Sequence, residues 1–273
     1  MSFNTLKNMI CPGRIIIGGT MLNGARVAFY AITARSNPSR VRYLKTISNK
    51  IIAVDVTDPK QLEDGDEALL LYNAIRIESG HLIVSNGAQT DAIASIVKSA
   101  VDMNMSMSNI NHIFRRFRAN SGEYTIIAKD GRIIDLTTYE PDPPNNTPRI
   151  TAILGRHSFI VDIVAKGETS DKPLIRRSLH GHSNVKGTMI CTYSGEHAET
   201  PLPSFKKKFV PIILPWDDLS DGVSDIYEAL GPKNGDDDLR VSVVGVRFAP
   251  GVDQFLHVYI KNRFEPIVEA EVK

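Results

Sequence analysis

The chain has 273 residues, 42% of them hydrophobic and 23% charged, with a formal net charge of +1. That allows one large domain or two small ones, with enough apolar material for a core that needs no disulfide or metal staple. The near-neutral balance argues against a dedicated nucleic-acid binder, and two cysteines, Cys11 and Cys191, make no disulfide framework. The start of the chain, Met1–Ile10, lacks the apolar centre of a signal peptide, and no apolar run is long enough to span a membrane. The expected setting is reducing and cytoplasmic.

Taken in order, Arg14–Thr20, Arg26–Thr33, Lys50–Val56, Ala68–Ile77 and His81–Ser85 read as strands rich in Ile, Val, Leu and Tyr. Simple alternation through Tyr72–Arg76 puts Tyr72, Ala74 and Arg76 on one face and Asn73 and Ile75 on the other. The period then changes. Ile93, Ile96, Val97, Ala100 and Val101 form one apolar helix face within Gln89–Asn104, with Thr90 or Asp91 as cap. A second helix is predicted over Asn109–Arg118, with Ile110, Ile113, Phe114 and Phe117 on its stripe.

Strands return at Tyr124–Lys129 and Arg132–Thr138, where Asp130-Gly131 signals a type I′ hairpin, and at Arg149–Leu154 and Ser158–Ala165 around Gly155-Arg156-His157. Asp218–Leu230 reads as a third helix weakened by Gly222, followed by strands at Arg240–Phe248 and Phe255–Asn262. Strands in runs, broken by paired helices, point to an α+β fold of mainly antiparallel sheet rather than alternating βαβ units. Glu140–Asn146, Gly195–Lys208 and the polar tip Lys233–Asp238 read as irregular loops that force no domain boundary.

Four segments could carry chemistry. Arg35-Ser36-Asn37-Pro38-Ser39-Arg40 sets two guanidinium forks and two hydroxyls around a proline turn, which suits a phosphate. By itself it reads as readily as a solvated basic loop. Tyr72-Asn73-Ala74-Ile75-Arg76 is a strand with polar positions. Ser85-Asn86-Gly87-Ala88-Gln89-Thr90-Asp91 joins a strand to a helix start, where free N–H groups meet the positive end of the helix dipole. Capping alone accounts for Thr90 and Asp91. Tyr139-Glu140 and Asn146-Thr147-Pro148-Arg149 put a carboxylate and an arginine at opposite ends of a proline-rich loop that could fold over a cleft. His180-Gly181-His182 lacks a spaced third ligand, so no metal site is expected. Gly18-Gly19 is followed by no phosphate-loop Lys, and Lys206–Lys208 reads as a solvated face.

In this order the segments, opened by Gly13-Arg14, resemble the archaeal-type IMP cyclohydrolase family over residues 13 to 154. Asn37 stands where that family commonly has an aromatic, and Ala88-Gln89 replaces a more usual Ser-His. The resemblance implies an Ntn-hydrolase-like four-layer αββα sandwich of two mainly antiparallel sheets, here one domain with a C-terminal elaboration around residues 195–238. It also implies closure of 5-formamidoimidazole-4-carboxamide ribonucleotide (FAICAR) to IMP with loss of water, the last step of purine biosynthesis. No metal, organic cofactor, nucleic acid or membrane partner is expected, and a homo-oligomer is. Carried over residue by residue, Arg35, Tyr72 and Glu140 take the reacting groups. Ser36, Arg40, Asn86, Gly87 and Arg149 take phosphate and ribose, and Asn73, Thr90 and Asp91 line the base. Two other readings compete: an Ntn-type amidohydrolase using Cys11 as an exposed N-terminal nucleophile, and a purine-nucleotide-binding protein without the reaction.

Overall fold

The computed structural model describes residues 4–62, 65–103, 110–156, 158–206, 209–233, 237–264 and 268–270. The expected helix ends at Asn104 and Asn109, His157, Lys207, Lys208 and the centre of the 233–238 tip lie outside the described residues. The first half holds α1 (Asn4–Lys7), β1 (Arg14–Thr20), β2 (Arg26–Thr33), α2 (Asn37–Arg40), β3 (Arg42–Ser48) and β4 (Ile51–Val56). It continues with α3 (Glu67–Leu70), β5 (Tyr72–Glu78), β6 (His81–Ser85), α4 (Gln89–Asp102) and α5 (Ile110–Ala119). Then come β7 (Thr125–Ile127), β8 (Ile133–Asp135), β9 (Arg149–Leu154), β10 (Ser158–Lys166), β11 (Pro173–Gly181) and β12 (Lys186–Cys191). The chain closes with β13 (Val210–Ile213), α6 (Leu219–Ala229), β14 (Arg240–Phe248), β15 (Phe255–Asn262) and β16 (Val268–Ala270).

Two seven-stranded sheets dominate, in the orders β13-β12-β1-β2-β14-β15-β16 and β11-β10-β9-β6-β5-β4-β3, with β7 and β8 as a separate hairpin. Neighbouring strands run antiparallel in both large sheets. The protein is α+β, as the strand runs predict. One apolar cluster takes side chains from both sheets, including Ile15 and Ile17 of β1 and Leu82 and Val84 of β6. Ile83, between the last two, belongs instead to a second cluster with Ile93 and Val97 of α4 and Phe114 and Phe117 of α5. This is the period-2 alternation of a strand buried on both faces. Each such side chain removed from water contributes about 1.5–3 kcal/mol, enough to hold a helix pair that would be marginal alone.

Helix α6 lies on the other sheet. A Cβ at Gly222 would sit 2.8 Å from the Phe29 ring and 3.0 Å from Trp216. The glycine that lowers helix propensity is the one that lets the helix approach β2. Asp218 caps α6 by accepting from the Ser220 N–H. Across the two sheets, the Asn262 side chain donates to the Leu44 carbonyl at 3.0 Å and accepts from the Leu44 N–H at 3.0 Å. The amide thus pairs the edge strand β3 as a neighbouring strand would.

Four expectations need correction. Ala68–Leu70 is a helical turn, because Asp66 accepts from the Ala68 N–H and caps α3 before β5 begins. The bonds of α4 start from Ala88, so Thr90 and Asp91 lie inside the first turn rather than capping it. The hairpin turn is centred on Lys129-Asp130, with Gly131 alone at positive φ, so it is not type I′ about Asp130-Gly131. The alternation of β5 breaks at Ala74: Ile75 pairs with Ile52 and Asn73 with the adjacent Ala53. This bulge puts Asn73 and Arg76 within reach of one carboxylate, Asp91.

Candidate active site

A cleft of about 910 Å³ opens where β1, the Ala34–Ser39 segment, β3 and the 140–147 loop converge. Its wall carries Arg14, Arg35, Ser36, Arg42, Glu140 and Tyr193, with Ser39, Asp142 and Thr147 beside them.

Glu140 is 3% exposed. Burial raises its carboxyl to about 7, against the opposing pull of Arg149 and Arg14. The proline-rich loop does fold back: the Glu140 N–H donates to the Thr147 carbonyl at 2.9 Å, and Arg149 Nη1 lies 3.5 Å from Glu140 Oε1. The same Nη1 donates to Gln89 Oε1 at 3.1 Å. Asn86 fixes this corner by donating to the Pro148 carbonyl and accepting from the Ile150 N–H and Gln89 Nε2. Gly87 leaves room for it, since a Cβ there would stand 2.7 Å from Arg149 Nη1 and 2.6 Å from Gln89 Oε1.

Tyr72, from β5, is buried, and its hydroxyl meets that of Tyr30 on β2 at 2.7 Å, one hydroxyl from each sheet. Burial, then the Tyr72 neighbour, pushes the Tyr30 phenol well above its ordinary range. Arg14 has Tyr72, Glu140, Tyr30 and Tyr193 as electrostatic neighbours, and its Nε has no hydrogen-bond partner. Arg42 is 1% exposed. Its Nε donates to the Ser39 carbonyl, while Nη1 and Nη2 have no partner. Burial and then Arg14 lower its guanidinium to about 10. Tyr193 hydrogen-bonds Thr147, whose N–H donates to Asp142 at 2.6 Å.

The expected site residues divide. Arg35, Ser36 and Glu140 line the cleft. Arg35 is held by the far loop, its Nη1 donating to the Ala198 carbonyl at 2.8 Å and to Thr200 Oγ1 at 2.7 Å. Leu202 N–H in that loop donates to Asn145, so the described part of this region, 195–206, closes onto the proline-rich loop. Tyr72, Asn86, Gly87 and Arg149 form the layer behind the wall. Arg40 turns away, with Nη2 3.0 Å from Asp237 and Nε on the Ala34 carbonyl. Asn73 and Asp91 bond each other, and Asp91 also takes Arg76, bracing β5 against α4. Thr90 Oγ1 donates to the Gly87 carbonyl and meets Ser85, a buried tie within the loop.

Arg42, Tyr30 and Tyr193 escaped the sequence reading; Arg14 was only part of an opening pair, and Gln89 only a departure from the family pattern. The available signal for Arg42 was its spacing from Leu44, two residues along on the same strand face. Among the described residues no three His, Cys, Asp or Glu side chains are grouped to hold a metal. The ring of His180 stacks on Phe159 at 5.0 Å. No helix among them is long and apolar enough to cross a membrane. Cys11 is 2% exposed and burial raises its thiol, opposite to what a thiolate nucleophile needs. The segment before it is packed into the core through Leu6 and Met9.

Residues 11–112 match the family described as IMP cyclohydrolase-like protein. The chain is 29% identical to the IMP cyclohydrolase of Methanocella arvoryzae over 155 residues, covering 56% of this chain and 62% of that protein. It is 26% identical over 195 residues to the enzyme of that name from Methanococcus maripaludis, covering 68% and 83%. The Methanopyrus kandleri IMP cyclohydrolase is 25% identical over 189 residues, covering 69% and 77%.

Proposed function

We propose, on the footing that residues 11–112 belong to the IMP cyclohydrolase-like family, that the chain closes FAICAR to IMP with loss of water. The αββα layering of an Ntn-hydrolase-like domain is part of this reading. It is supported by one core between the sheets and helices packed outside each of them. So is a single domain, with residues 195–238 as an elaboration whose loop reaches Arg35.

The single observation that carries the chemistry is Glu140, a carboxyl at about 7 in the cleft wall among guanidinium groups. Ring closure joins the carboxamide nitrogen to the formyl carbon; the former formyl oxygen leaves as water, taking one proton from that nitrogen and a second from the formamido nitrogen, which becomes doubly bonded to the same carbon. A group titrating near neutrality can take the nitrogen's proton and return it to the leaving hydroxyl. Holding both reacting groups on one side of the imidazole contributes up to about 7–11 kcal/mol in favourable intramolecular cases. Arg35 polarises the formyl oxygen, and Tyr72, its hydroxyl anchored by Tyr30, donates to it or passes the proton. Each well-placed donor to a developing oxyanion is worth about 3–4 kcal/mol. Ser36, in the cleft wall, contacts the nucleotide, and Asn86, Gly87 and Arg149 shape its seat from the layer behind. Arg40, Asn73, Thr90 and Asp91 act one layer further out, as braces. The reaction as written draws on no cofactor.

The test is the absorbance change on mixing the folded protein with FAICAR, beside Arg35→Ala and Tyr72→Phe. Turnover that collapses in both variants supports the reading. IMP binding without turnover in the parent chain overturns it in favour of a nucleotide-binding protein. The expected homo-oligomer and the cytoplasmic setting are separate parts of the proposal, checked by sedimentation and by cell fractionation.

A further inference from the structure

We propose that Arg42, with Arg14, seats the phosphate monoester of the substrate at the floor of the cleft. The first support is hydrogen bonding. Arg42 is 1% exposed and lines the cleft, yet two of its three guanidinium nitrogens have no partner among the described residues. Buried polar groups are normally satisfied, and a buried guanidinium with free N–H groups is expensive unless something pairs with it.

The second support is charge. Glu140 faces Arg149 at 3.5 Å, and Asp142 is taken up by Thr147. Arg14 and Arg42 remain as two buried cations side by side, without a carboxylate hydrogen-bonded to either among the described residues. Two positive charges match one phosphate dianion. An oxyanion that exists only in the transition state would leave those charges unbalanced in the bound ground state, whereas a phosphate balances them throughout turnover. The third support is the remaining shell. Ser36 and Ser39 line the same wall, and the Ser39 carbonyl fixes the orientation of Arg42 through Nε. Arg40, the residue the sequence pattern offers for phosphate, is occupied by Asp237.

The identity of the phosphate's carrier rests on the nucleotide reading above, but the anion seat does not. The experiment titrates the intact protein, and Arg42→Met and Arg42→Lys variants, with IMP, inosine, ribose 5-phosphate and inorganic phosphate, reading heats and thermal midpoints. The parent chain is expected to prefer IMP over inosine by about 100-fold, as two charge-assisted contacts allow. Arg42→Met should cut IMP affinity by about 50-fold while leaving inosine binding in place. Inorganic phosphate should then no longer raise its midpoint. Without ligand, Arg42→Met should melt no lower than the parent, because a buried unpaired charge has been replaced by a thioether of similar length. A purely structural arginine would lower it.

Arg42→Lys, which keeps the charge but not the fork, should recover part of the IMP preference and guards against a Met variant that does not fold. If ribose 5-phosphate and inorganic phosphate bind through Arg42 but no purine does, the anion seat stands and the purine reading falls. An unchanged IMP-to-inosine ratio in a folded Arg42 variant overturns the seat, as does a loss of turnover with that ratio intact.

Discussion

Asp162 is 2% exposed and lies between Arg118 and Arg177; Glu140 is 3% exposed and lies among Arg14, Arg42 and Arg149. Both are buried carboxylates with arginine neighbours, and they are built differently. Asp162 takes Arg118 on one oxygen and Arg177 on the other, at 2.7 Å for the latter. Arg118 also donates to the Thr137 carbonyl, and Arg177 lies over the Phe114 ring at 4.8 Å. Both arginines keep an edge in solvent. Around Glu140 the ion pair with Arg149 is long, and among the described residues five guanidinium nitrogens have no partner: Arg14 Nε, Arg42 Nη1 and Nη2, and Arg149 Nε and Nη2. A nearly saturated cluster, with Arg118 Nε alone of its nitrogens buried and unpartnered among the described residues, fixes helix α5 and strand β11 to β10. An unsaturated one, at a cleft, has capacity left for a ligand.

Substitutions can break this contrast. Glu140→Gln should reduce turnover by about 10²–10⁴-fold while sparing IMP affinity, measured by steady-state kinetics and calorimetry. Unchanged turnover would reduce Glu140 to a second Asp162. The same carboxyl gives a pH signature. Its folded value of about 7 lies above the ordinary 4.5, so the folded state holds the proton more tightly than the unfolded chain. That stabilisation is complete below the unfolded value and is lost as pH rises through the folded one. Urea midpoints at about pH 5 and about pH 8 should therefore differ less in Glu140→Gln than in the parent.

Asp162→Ala should destabilise by about 3–5 kcal/mol in urea, by leaving two arginines facing an empty position, with little effect on nucleotide affinity. If it instead abolished binding while the fold survived, the division between structural and ligand-directed clusters would be wrong. Gly87→Ala should cost about 1–3 kcal/mol, because the new methyl must displace Gln89 and Arg149, and turnover should fall more than stability. Arg40→Ala should have the smallest effect. Its partner Asp237 is 80% exposed, and such pairs contribute less than about 1 kcal/mol. A large loss of IMP affinity there would return the phosphate to Arg40.

Much of the fold was legible from pattern. The bounds of β1, β2, β6, β9, β14 and β15 are where alternation and turn residues put them, and the apolar stripe marks α4. What was not legible has physical causes. Strand β11 carries Leu174, Ile175 and Leu179 exposed at a sheet edge, so it shows no inward apolar face to read. The bulge at Ala74 arises from pairing with β4, a neighbour the local pattern does not contain. In the site, Glu140 and Arg149 were visible because one proline-rich loop joins them. Arg42 was not, because its significance depends on Arg14 on the other sheet and on nitrogens that find no partner. Arg40 carried the same side chain in a better-looking motif and was diverted by Asp237, a residue nearly two hundred positions away.

The Asn262 amide that pairs with Leu44 has a consequence for how the protein can be divided. Strand β3, which begins with Arg42, lies at the edge of its sheet, and the last residue of β15 holds it two positions further on. Glu140, Arg149 and Tyr193 also follow residue 112, where the match to the family model ends. A shortened version ending near residue 112 would keep the matched segment and lack Glu140, Arg149 and the Asn262 amide that holds β3. Mutational surveys confined to the matched segment would therefore overlook side chains, Glu140 and Asn262 among them, on which the cleft wall and its edge strand depend.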